Sequence, residues 1–303
     1  MDNNSILNVQ QLCEHAKVSR SGFYRWRSQA KYRESKERQD ELDFELLKQA
    51  YEYRGYAKGI RGIYMRLLHL TPPVVMNKKK IGRLMKKFGL RCPIRKANPY
   101  RKLAKDMQTN HVAQNILDRK FDEQTPRHIF LTDITYIPYN GQFCYLSPVV
   151  DLCTHEVLAY KLSDSLEVEF VIEMVDTLLE EHGAELDDTV LMHSDRGCHY
   201  TSKAFIAKLK SAEFVQSMSR KGNCWDNAPQ ESFFGHMKDE IGKQISECKT
   251  YEEVKKIIDD WMEYYNNERY QWDLDKLSPK EYSQYKLTGI YPIPIRSGKS
   301  NAL

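Results

Sequence analysis

Apolar and polar residues follow two different periods along the chain, and the period changes near residue 128. From there on, short runs of β-branched and aromatic residues alternate with turn residues, as they do in strands. Asn140 and Gly141, between the first two runs, form a strong hairpin signal. We predict strands at residues 128–138, 143–153, 155–162, 188–195 and 213–219, and helices at residues 166–183, 201–212, 229–247 and 251–268. This order predicts an α/β fold, with a mixed five-stranded sheet and flanking helices.

The chain before residue 128 has the helical period, and its first part has the pattern of a helix-turn-helix unit. Residues 8–30 predict a short helix, a turn capped by Ser19 or Ser21, and a second helix that carries Arg20 and Arg25. In such units the second helix enters a DNA groove, so Ser19, Arg20 and Arg25 are candidates for DNA binding. The pattern alone is weak, because the aromatic residues of the second helix suit a core as well as they suit DNA.

A second helix-turn-helix unit is predicted at residues 55–92, after a charged connecting helix at residues 31–50. Its last helix has an apolar stripe, and Asn77 is suited to be its N-cap. The basic residues around the stripe that we predict to bind DNA are Lys78, Lys79, Lys80, Arg83 and Lys87. Residues 93–127 are basic and show little periodicity, which is typical of a linker that can lie along a DNA groove.

The net charge of +4 conceals a division of charge between the two halves of the chain. Residues 1–110 hold 25 Lys and Arg and 10 Asp and Glu, so their net charge is +15. Residues 111–303 hold 21 and 32, so their net charge is −11. The basic front suits a polyanion, most simply nucleic acid, although a lysine-rich solvated helical surface has the same composition.

The cysteines and the apolar runs restrict the class of protein. The seven Cys residues are scattered and form no Cys-x-x-Cys pair, so we expect free thiols rather than a disulfide framework or a zinc finger. No run approaches the roughly 18 apolar residues of a membrane-spanning helix, and the N-terminus lacks the features of a signal peptide. We therefore expect a cytoplasmic protein that does not contact a membrane.

Two aspartates stand at positions where a strand does not favour them. Asp133 lies within the first predicted strand, and Asp195 ends the fourth. In a mixed sheet of this order these two strands are often adjacent, so the two carboxylates can meet. Carboxylates that lie side by side need a counter-charge, which a divalent cation with oxygen ligands supplies. The pattern predicts a metal site at this edge of the sheet.

Glu231 is the candidate for a third ligand. It lies at the start of a predicted helix, and Lys238 is seven residues later, within about 20° of the same helix face. A glutamate that faces a metal and a lysine on the same face can hold the metal and a phosphate together. Asn227, in the preceding loop, either contacts DNA or shapes that loop.

Each of these residues also has an ordinary structural interpretation. Asp133 alone could be a satisfied buried polar residue, Asp195 a cap, and Glu231 a first-turn glutamate favoured by the helix dipole. The competing carboxylates nearby are Asp151, Asp226, Asp239 and Glu240, of which Asp151 is the strongest because it also ends a strand. His193, close to Asp195, is predicted to pack or orient rather than to bind metal. Pro148 predicts a bulge in the second strand.

The joint spacing favours catalysis. There are 61 residues between Asp133 and Asp195, and 35 between Asp195 and Glu231. This arrangement closely resembles the DDE motif of bacterial insertion-sequence transposases with a retroviral-integrase-like, ribonuclease-H-like catalytic core. The segments that carry the resemblance are LTDITYIP, VVDLCTHEVLAY, HSDRGCHYTS, SRKGNCWDNAPQESFF and YYNNERYQWDLDKLSPKEY in the second half, with QLCEHAKVSRSGFYRW and NKKKIGRLMKKFGLRC in the first. The resemblance extends over nearly the whole chain.

The resemblance implies both a mechanism and a set of partners. Asp133, Asp195 and Glu231 would hold two Mg²⁺ ions, with Mn²⁺ as a substitute, for DNA strand cleavage at element ends and for strand transfer. Lys238 would bind a phosphate near the scissile bond. The implied partners are DNA, namely the terminal inverted repeats and the target, further copies of the chain in a homo-oligomer, and a subunit or fusion from an upstream reading frame.

The predicted organisation follows from these segments. It consists of residues 1–50, a helix-turn-helix and connecting helix; 51–97, a second helix-turn-helix region; 98–127, a basic linker; 128–285, the ribonuclease-H-like integrase core; and 286–303, a C-terminal tail.

Two other functions share some of these features. A nuclease with the same core would only hydrolyse DNA, and the basic front argues against it. A repressor with a decayed core would be free to lose a carboxylate, and the intact triad argues against that.

Overall fold

In the computed structural model of the chain, the described residues are 8–55, 58–92, 116–117, 125–186, 190–219 and 228–293. Most of the predicted basic linker, the end of the C-terminal tail, and Asp226 and Asn227 lie outside them. The helices are α1 (Val9–His15), α2 (Arg20–Ser28), α3 (Ala30–Glu52), α4 (Ile60–Leu68), α5 (Lys78–Lys87), α6 (Glu169–His182), α7 (Lys203–Ser211), α8 (Ala228–Glu247), α9 (Tyr251–Asn267) and α10 (Pro279–Thr288). The strands are β1 (Ile129–Thr132), β2 (Thr135–Tyr139), β3 (Gln142–Asp151), β4 (Val157–Ser163), β5 (Leu191–Ser194) and β6 (Val215–Met218).

Within the described residues, the strands form one mixed sheet of six, in the order β2–β3–β1–β5–β6, with β4 paired to β3. β1 is parallel to β5 and β5 to β6, whereas the pairs made by β3 are antiparallel. The predicted hairpin is confirmed, since Asn140 and Gly141 both have positive φ, at 42° and 74°, as a type I′ turn requires. The α/β fold is confirmed too, but the strand count is six because residues 128–138 form two strands.

The break in the first predicted strand falls at Asp133. β1 and β2 pair with β3 in one continuous register, but between them the N–H of Ile134 donates to Asp133 Oδ1 at 2.8 Å. Pro148, which has no N–H to donate, stands opposite Asp133 in that register. The bulge predicted at Pro148 occurs one residue further on, as a register shift against β4 between Val149 and Val150. A local interruption of the ladder thus places Asp133 at a strand end.

Helices cover both faces of the sheet. On one face, α8 and α9 pack against β2, β3 and β4 through a core that includes Phe233, Met237 and Trp261. On the other face, α6 and α7 pack against β1 and β5 through a core that includes Met174 and Phe205. Each of these fully buried apolar side chains contributes about 1.5–3 kcal/mol relative to exposure. The sheet is therefore held rigidly from both sides, and with it the strand ends that carry Asp133 and Asp195.

The front of the chain has its own small core. α3, α4 and α5 pack around apolar side chains that include Leu47, Ile63 and Ile81. α5 begins after Asn77, whose side chain accepts the N–H of Lys79 at 2.8 Å, as predicted for its cap. α2 follows a tight turn after α1, and none of its residues is buried. None of the helices in the described part of the chain is long and apolar enough to span a membrane.

The segment after α9 connects the front of the chain to the core. The ring of His69, just after α4, stacks on that of Tyr270, with 3.5 Å between the ring centroids. His69 Nε2 also lies 3.2 Å from Glu281 Oε2, in the first turn of α10. The aromatic and polar residues 264–281 therefore form a docking contact between the two parts of the chain.

Candidate functional site

Asp133 and Asp195 lie at the same edge of the sheet. β1 and β5 are parallel, and their register pairs Leu131 with His193. Each aspartate stands two residues further along its own strand, so the two follow the carboxyl ends of neighbouring parallel strands. Both side chains are half-buried. The predicted meeting of these two strands is therefore found, and it brings the two carboxylates to one edge.

A tight turn fixes the carboxylate of Asp195. Its Oδ1 accepts the N–H of Gly197 at 2.8 Å. A Cβ atom at position 197 would lie only 3.0 Å from that same oxygen. A larger residue would displace the carboxylate by a few tenths of an ångström, so glycine lets it fold back over the turn. This explains why a polar turn with a glycine follows a buried strand here.

A cluster of buried hydroxyl groups lies beside the two carboxylates. The Tyr200 hydroxyl is 3.2 Å from Thr132 Oγ1 and 3.1 Å from Ser147 Oγ. Burial raises the pKa of Tyr200, and the negative charges of Asp133 and Asp195 raise it further. The tyrosine stays neutral and protonated next to two anions. The sequence did not predict this cluster, although Tyr200 lies in the same segment as Asp195, HSDRGCHYTS.

His193 packs below the site. The ring is fully buried, with Nδ1 2.9 Å from Ser217 Oγ and Nε2 3.1 Å from Ser219 Oγ, both on or next to β6. Both ring nitrogens therefore have serine partners in the sheet. This agrees with the predicted packing role of His193 and leaves the metal site to carboxylates.

α8 carries both Glu231 and Lys238. Glu231 is exposed in the first turn of α8, and Lys238 lies two turns further along. Burial lowers the pKa of Lys238, and the charge of Asp133 acts in the opposite direction. The Lys238 ammonium is thus close enough to interact electrostatically with Asp133.

The described residues contain no set of three His, Cys, Asp or Glu side chains that converges closely enough to hold a metal ion. Asp133 and Asp195 come together, but Glu231 does not join them in this conformation. The pair is nevertheless suited to a hard divalent cation, because both groups are half-buried carboxylates and oxygen ligands are what such cations prefer. The residues therefore fit a divalent ion with two of the three predicted ligands.

The competing carboxylates have structural roles. Asp151 is the last residue of β3, and it pairs with Phe130 near the end of β1 that is remote from Asp133. It accepts the N–H groups of Arg127 and Cys153, each at 2.8 Å, and burial raises its pKa. Glu240 accepts the indole N–H of Trp261 at 2.8 Å. Neither residue reaches the edge that holds Asp133, and Asp239 is exposed on α8.

Three basic residues of α5 that were predicted to bind DNA have carboxylate partners on α3. Arg83 donates twice to Asp40, at 2.6 and 2.7 Å, Lys87 donates to the same carboxylate at 2.9 Å, and Lys80 pairs with Asp43. The hydrogen bonds from Arg83 and Lys87 hold the pKa of Asp40 well below its usual value. These charges join α5 to α3, a role that the basic pattern alone did not indicate.

The other predicted DNA contacts of the front lie at the surface. Ser19 caps α2, with its hydroxyl accepting the N–H of Gly22 at 3.0 Å. Arg20 and Arg25 are exposed on α2, and Lys79 is exposed on α5. Lys78, also exposed, is directed at the ring of Trp272. Asn227 lies outside the described residues.

Comparison with known families assigns both parts of the chain. Residues 123–224 and 231–287 match two models described as "Integrase core domain", and residues 37–98 match one described as "HTH-like domain". The first two matches cover the sheet and the helices on it, including Asp133, Asp195 and Glu231. The third covers most of α3 together with α4 and α5.

The relatives decide the family. The chain is 34% identical over 281 residues to the putative transposase InsK for insertion sequence element IS150 of Escherichia coli, over 90% of this chain and 93% of the relative. The chain belongs to the insertion-sequence transposases. It is also 35% identical to an uncharacterized transposase-like protein of Haemophilus influenzae, over 72% of this chain and 98% of that one. With the transposase for IS904 of Lactococcus lactis the identity is 29%, over 78% and 90%.

Solved structures of an integrase and a transposase match about half of the chain. The HTLV-2 integrase catalytic core domain in complex with magnesium is 16% identical, with a TM-score of 0.40, over 51% of this chain and 94% of that one. The catalytic domain of Mos1 mariner transposase is 19% identical, with a TM-score of 0.37, over 45% and 70%. As an insertion-sequence transposase, the chain is a polynucleotidyl transferase of the DDE type that acts on DNA, in a family that depends on divalent metal.

Proposed function

We propose that Asp133, Asp195 and Glu231 carry the transposition chemistry, in which DNA is cleaved at the element ends and the released 3′-OH is joined to target DNA. The observation that supports this most directly is the alignment of Asp133 and Asp195 at the ends of two parallel, adjacent strands. Two carboxylates in that position are stable together only with a counter-charge. Each carboxylate accepts a hydrogen bond from a backbone N–H group, which holds it in place in the absence of a ligand.

We propose Mg²⁺ as the cofactor, as two ions held by the three carboxylates, with Mn²⁺ as a substitute. When bound, such ions activate the attacking oxygen and stabilise the leaving oxygen in displacement at phosphorus. Glu231 would complete the set when α8 engages DNA. Lys238, on the same face of α8, would hold a phosphate beside Asp133, a role supported by their electrostatic contact.

We further propose how the chain meets its partners. Arg20, Arg25, Lys78 and Lys79 would contact the terminal inverted repeats, and Asn227 the DNA near the scissile bond. Two ends must be joined to one target, so a homo-oligomer would bridge them, with an upstream-frame subunit or fusion assisting recognition. A chain that acts on bacterial DNA would do so in the cytoplasm, where that DNA lies.

The test uses a labelled duplex that carries the DNA end flanking the gene of this chain. Glu231→Gln would be compared with the wild type in Mg²⁺, and with Glu247→Gln as a matched control. Glu247 is exposed at the other end of the same helix. We expect end-specific cleavage or joining in the wild type and in Glu247→Gln, and a loss of at least about 100-fold in Glu231→Gln, because a misplaced reacting group alone costs that much.

Activity that survives Glu231→Gln would exclude Glu231 as a ligand and leave the two aspartates. If all three proteins bind the end specifically but none cleaves it, the upstream-frame product would be added. Cleavage restored by that product supports the proposed partner, whereas its continued absence would indicate a DNA-binding protein without catalysis.

A further inference from the structure

Trp272 lies where the front of the chain meets the segment that follows α9, and three cations surround its ring. The Lys78 ammonium is 4.2 Å from the ring centroid, the Lys276 ammonium 5.1 Å, and the Arg61 guanidinium carbon 5.2 Å. Each distance is within the range of a cation–π interaction. Arg61 and Lys78 come from α4 and α5, whereas Lys276 comes from the core side. The cluster therefore spans the contact between the two parts of the chain.

These three positive charges repel one another. Since each lies within 5.2 Å of the ring centroid, no two of them are more than about 10 Å apart, which is the Debye length in about 0.1 M salt. Asp273 and Asp275, on the same loop as Trp272, are exposed. None of the ion pairs among the described residues joins either aspartate, or any other carboxylate, to the three cations.

The position of two of the cations adds to this imbalance. Arg61 and Lys78 lie in the first turns of α4 and α5, and neither helix has an acidic residue in its first turn. The N-terminal end of a helix carries partial positive charge, so cations there are unfavourable unless an anion is bound. The ring of Trp272 relieves part of the repulsion, but it does not neutralise any charge.

We propose that this cluster, Arg61, Lys78 and Lys276 around Trp272, binds the phosphate backbone of DNA. The inference rests on the proposed function and extends it, because Arg61, Trp272 and Lys276 lie outside the residues predicted to contact DNA. A phosphate held here touches the HTH-like region and the core segment together. Binding of an element end would then strengthen the contact between the part that recognises DNA and the part that cuts it.

The surroundings favour DNA over an acidic protein. Lys79, exposed beside Lys78, continues the positive surface along α5, and the first 110 residues carry a net charge of +15. Two of its cations, Arg61 on α4 and Lys78 on α5, lie within the region that matches the HTH-like domain. Contacts to phosphate carry no sequence information, so the site is expected to act on any duplex.

The salt dependence of DNA binding tests this proposal. The dissociation constant of the full chain for a fluorescein-labelled duplex of arbitrary sequence would be measured over a range of salt concentrations. The variants are Arg61→Gln, Lys276→Gln and their double, with Lys256→Gln as the control. Lys256 is an exposed lysine of α9 outside the cluster. A variant that neutralises one phosphate fewer has a slope of log K against log salt that is lower by about 0.9.

We expect each single variant to lower the slope by about 0.9 and the double variant by about twice that, with Lys256→Gln at the wild-type slope. Equal thermal unfolding midpoints would show that the variants are folded. Wild-type binding with unchanged slopes in the cluster variants would overturn this inference alone. A wild-type chain that binds no duplex would overturn the proposed function and this site together. Binding of an acidic peptide at the cluster, without binding of DNA there, would assign the surface to a protein partner.

Discussion

Backbone N–H groups hold each of the two facing aspartates. Asp133 accepts the N–H of the next residue, Ile134, and Asp195 accepts that of Gly197, both at 2.8 Å. A carboxylate that is already held by a hydrogen bond to one oxygen loses little conformational entropy when it binds a ligand. Such preorganisation is what catalysis requires. The geometry of the site at the residue scale is thus set by local turns, before any contact with metal or DNA.

Gly197→Ala is expected to impair catalysis without unfolding the protein. Its Cβ would lie 3.0 Å from Asp195 Oδ1, so the carboxylate must move by a few tenths of an ångström. Misplacement by 1 Å can cost about 100-fold in rate, so for this smaller shift we expect a loss of about 3- to 10-fold in end cleavage. The assay is cleavage of the labelled end duplex, with the unfolding midpoint measured in parallel.

Gly183→Ala is the matched control for this substitution. At position 183, at the end of α6, an added Cβ meets nothing within 4 Å, and the backbone is helical. Alanine there is expected to keep full activity and to stabilise the fold by about 0.4–1 kcal/mol. Equal activity of Gly197→Ala and the wild type would show that the Asp195 carboxylate need not hold its present position.

At the scale of elements, α5 is attached to α3 by charge as well as by apolar contact. Asp40 is almost fully buried and receives hydrogen bonds from both Arg83 and Lys87. A buried carboxylate without partners is unfavourable, so these cations are needed for the packing of the two helices. Lys79, on the same helix, is exposed and is in none of the ion pairs found among the described residues. Its ammonium group is therefore accessible to a ligand.

Arg83→Gln is expected to affect stability, and Lys79→Gln is expected to affect DNA binding. Arg83→Gln should lower the unfolding midpoint at neutral pH, because Asp40 loses its main partner. The pKa of Asp40 is depressed in the folded chain, so the stabilisation is present above its ordinary value of 3.8 and is lost as the pH falls through the folded value. The difference between variant and wild type should therefore shrink in acid. Lys79→Gln should leave the midpoint unchanged and weaken duplex binding.

Thermal unfolding followed by circular dichroism at several pH values, together with duplex binding, distinguishes these effects. A midpoint difference for Arg83→Gln that does not depend on pH would assign the loss to packing of the arginine stem rather than to the ion pair. A lowered midpoint for Lys79→Gln would show that Lys79 stabilises the fold, and it would argue against Lys79 as a DNA contact.

The sequence predicted the elements better than it predicted their partners. Strand and helix periods located the sheet, and the β1–β5 neighbourhood followed from the order of elements. Three features depend on contacts between residues far apart in the chain, which no local pattern reveals. They are the separation of β1 from β2 opposite Pro148, the Tyr200 hydroxyl cluster, and the pairing of Arg83 with Asp40. Glu231 was located on the correct helix, but its approach to the aspartates remains a prediction.

At the scale of the whole molecule, the front of the chain and the core are connected by a few polar and aromatic contacts. Arg54 pairs with Glu268 at 2.5 Å, and His69 reaches both Tyr270 and Glu281. Because this contact also includes Trp272, DNA held by the cluster would reinforce it. Recognition and catalysis would then be coupled through one surface rather than through the linker alone.

His69→Ala is expected to weaken that coupling. It removes the ring stacked on Tyr270 and the hydrogen bond to Glu281, so the helical front should unfold at a lower temperature than the core. Glu281 also caps α10 through Ser278, so a double-mutant cycle of His69→Ala and Glu281→Ala is needed to isolate the pair. We expect a coupling free energy of about 1 kcal/mol, measured by denaturant unfolding. His15→Ala, an exposed histidine of α1, should have no effect. A coupling energy near zero would place the connection between the two parts in the Arg54 pair and the Trp272 cluster instead.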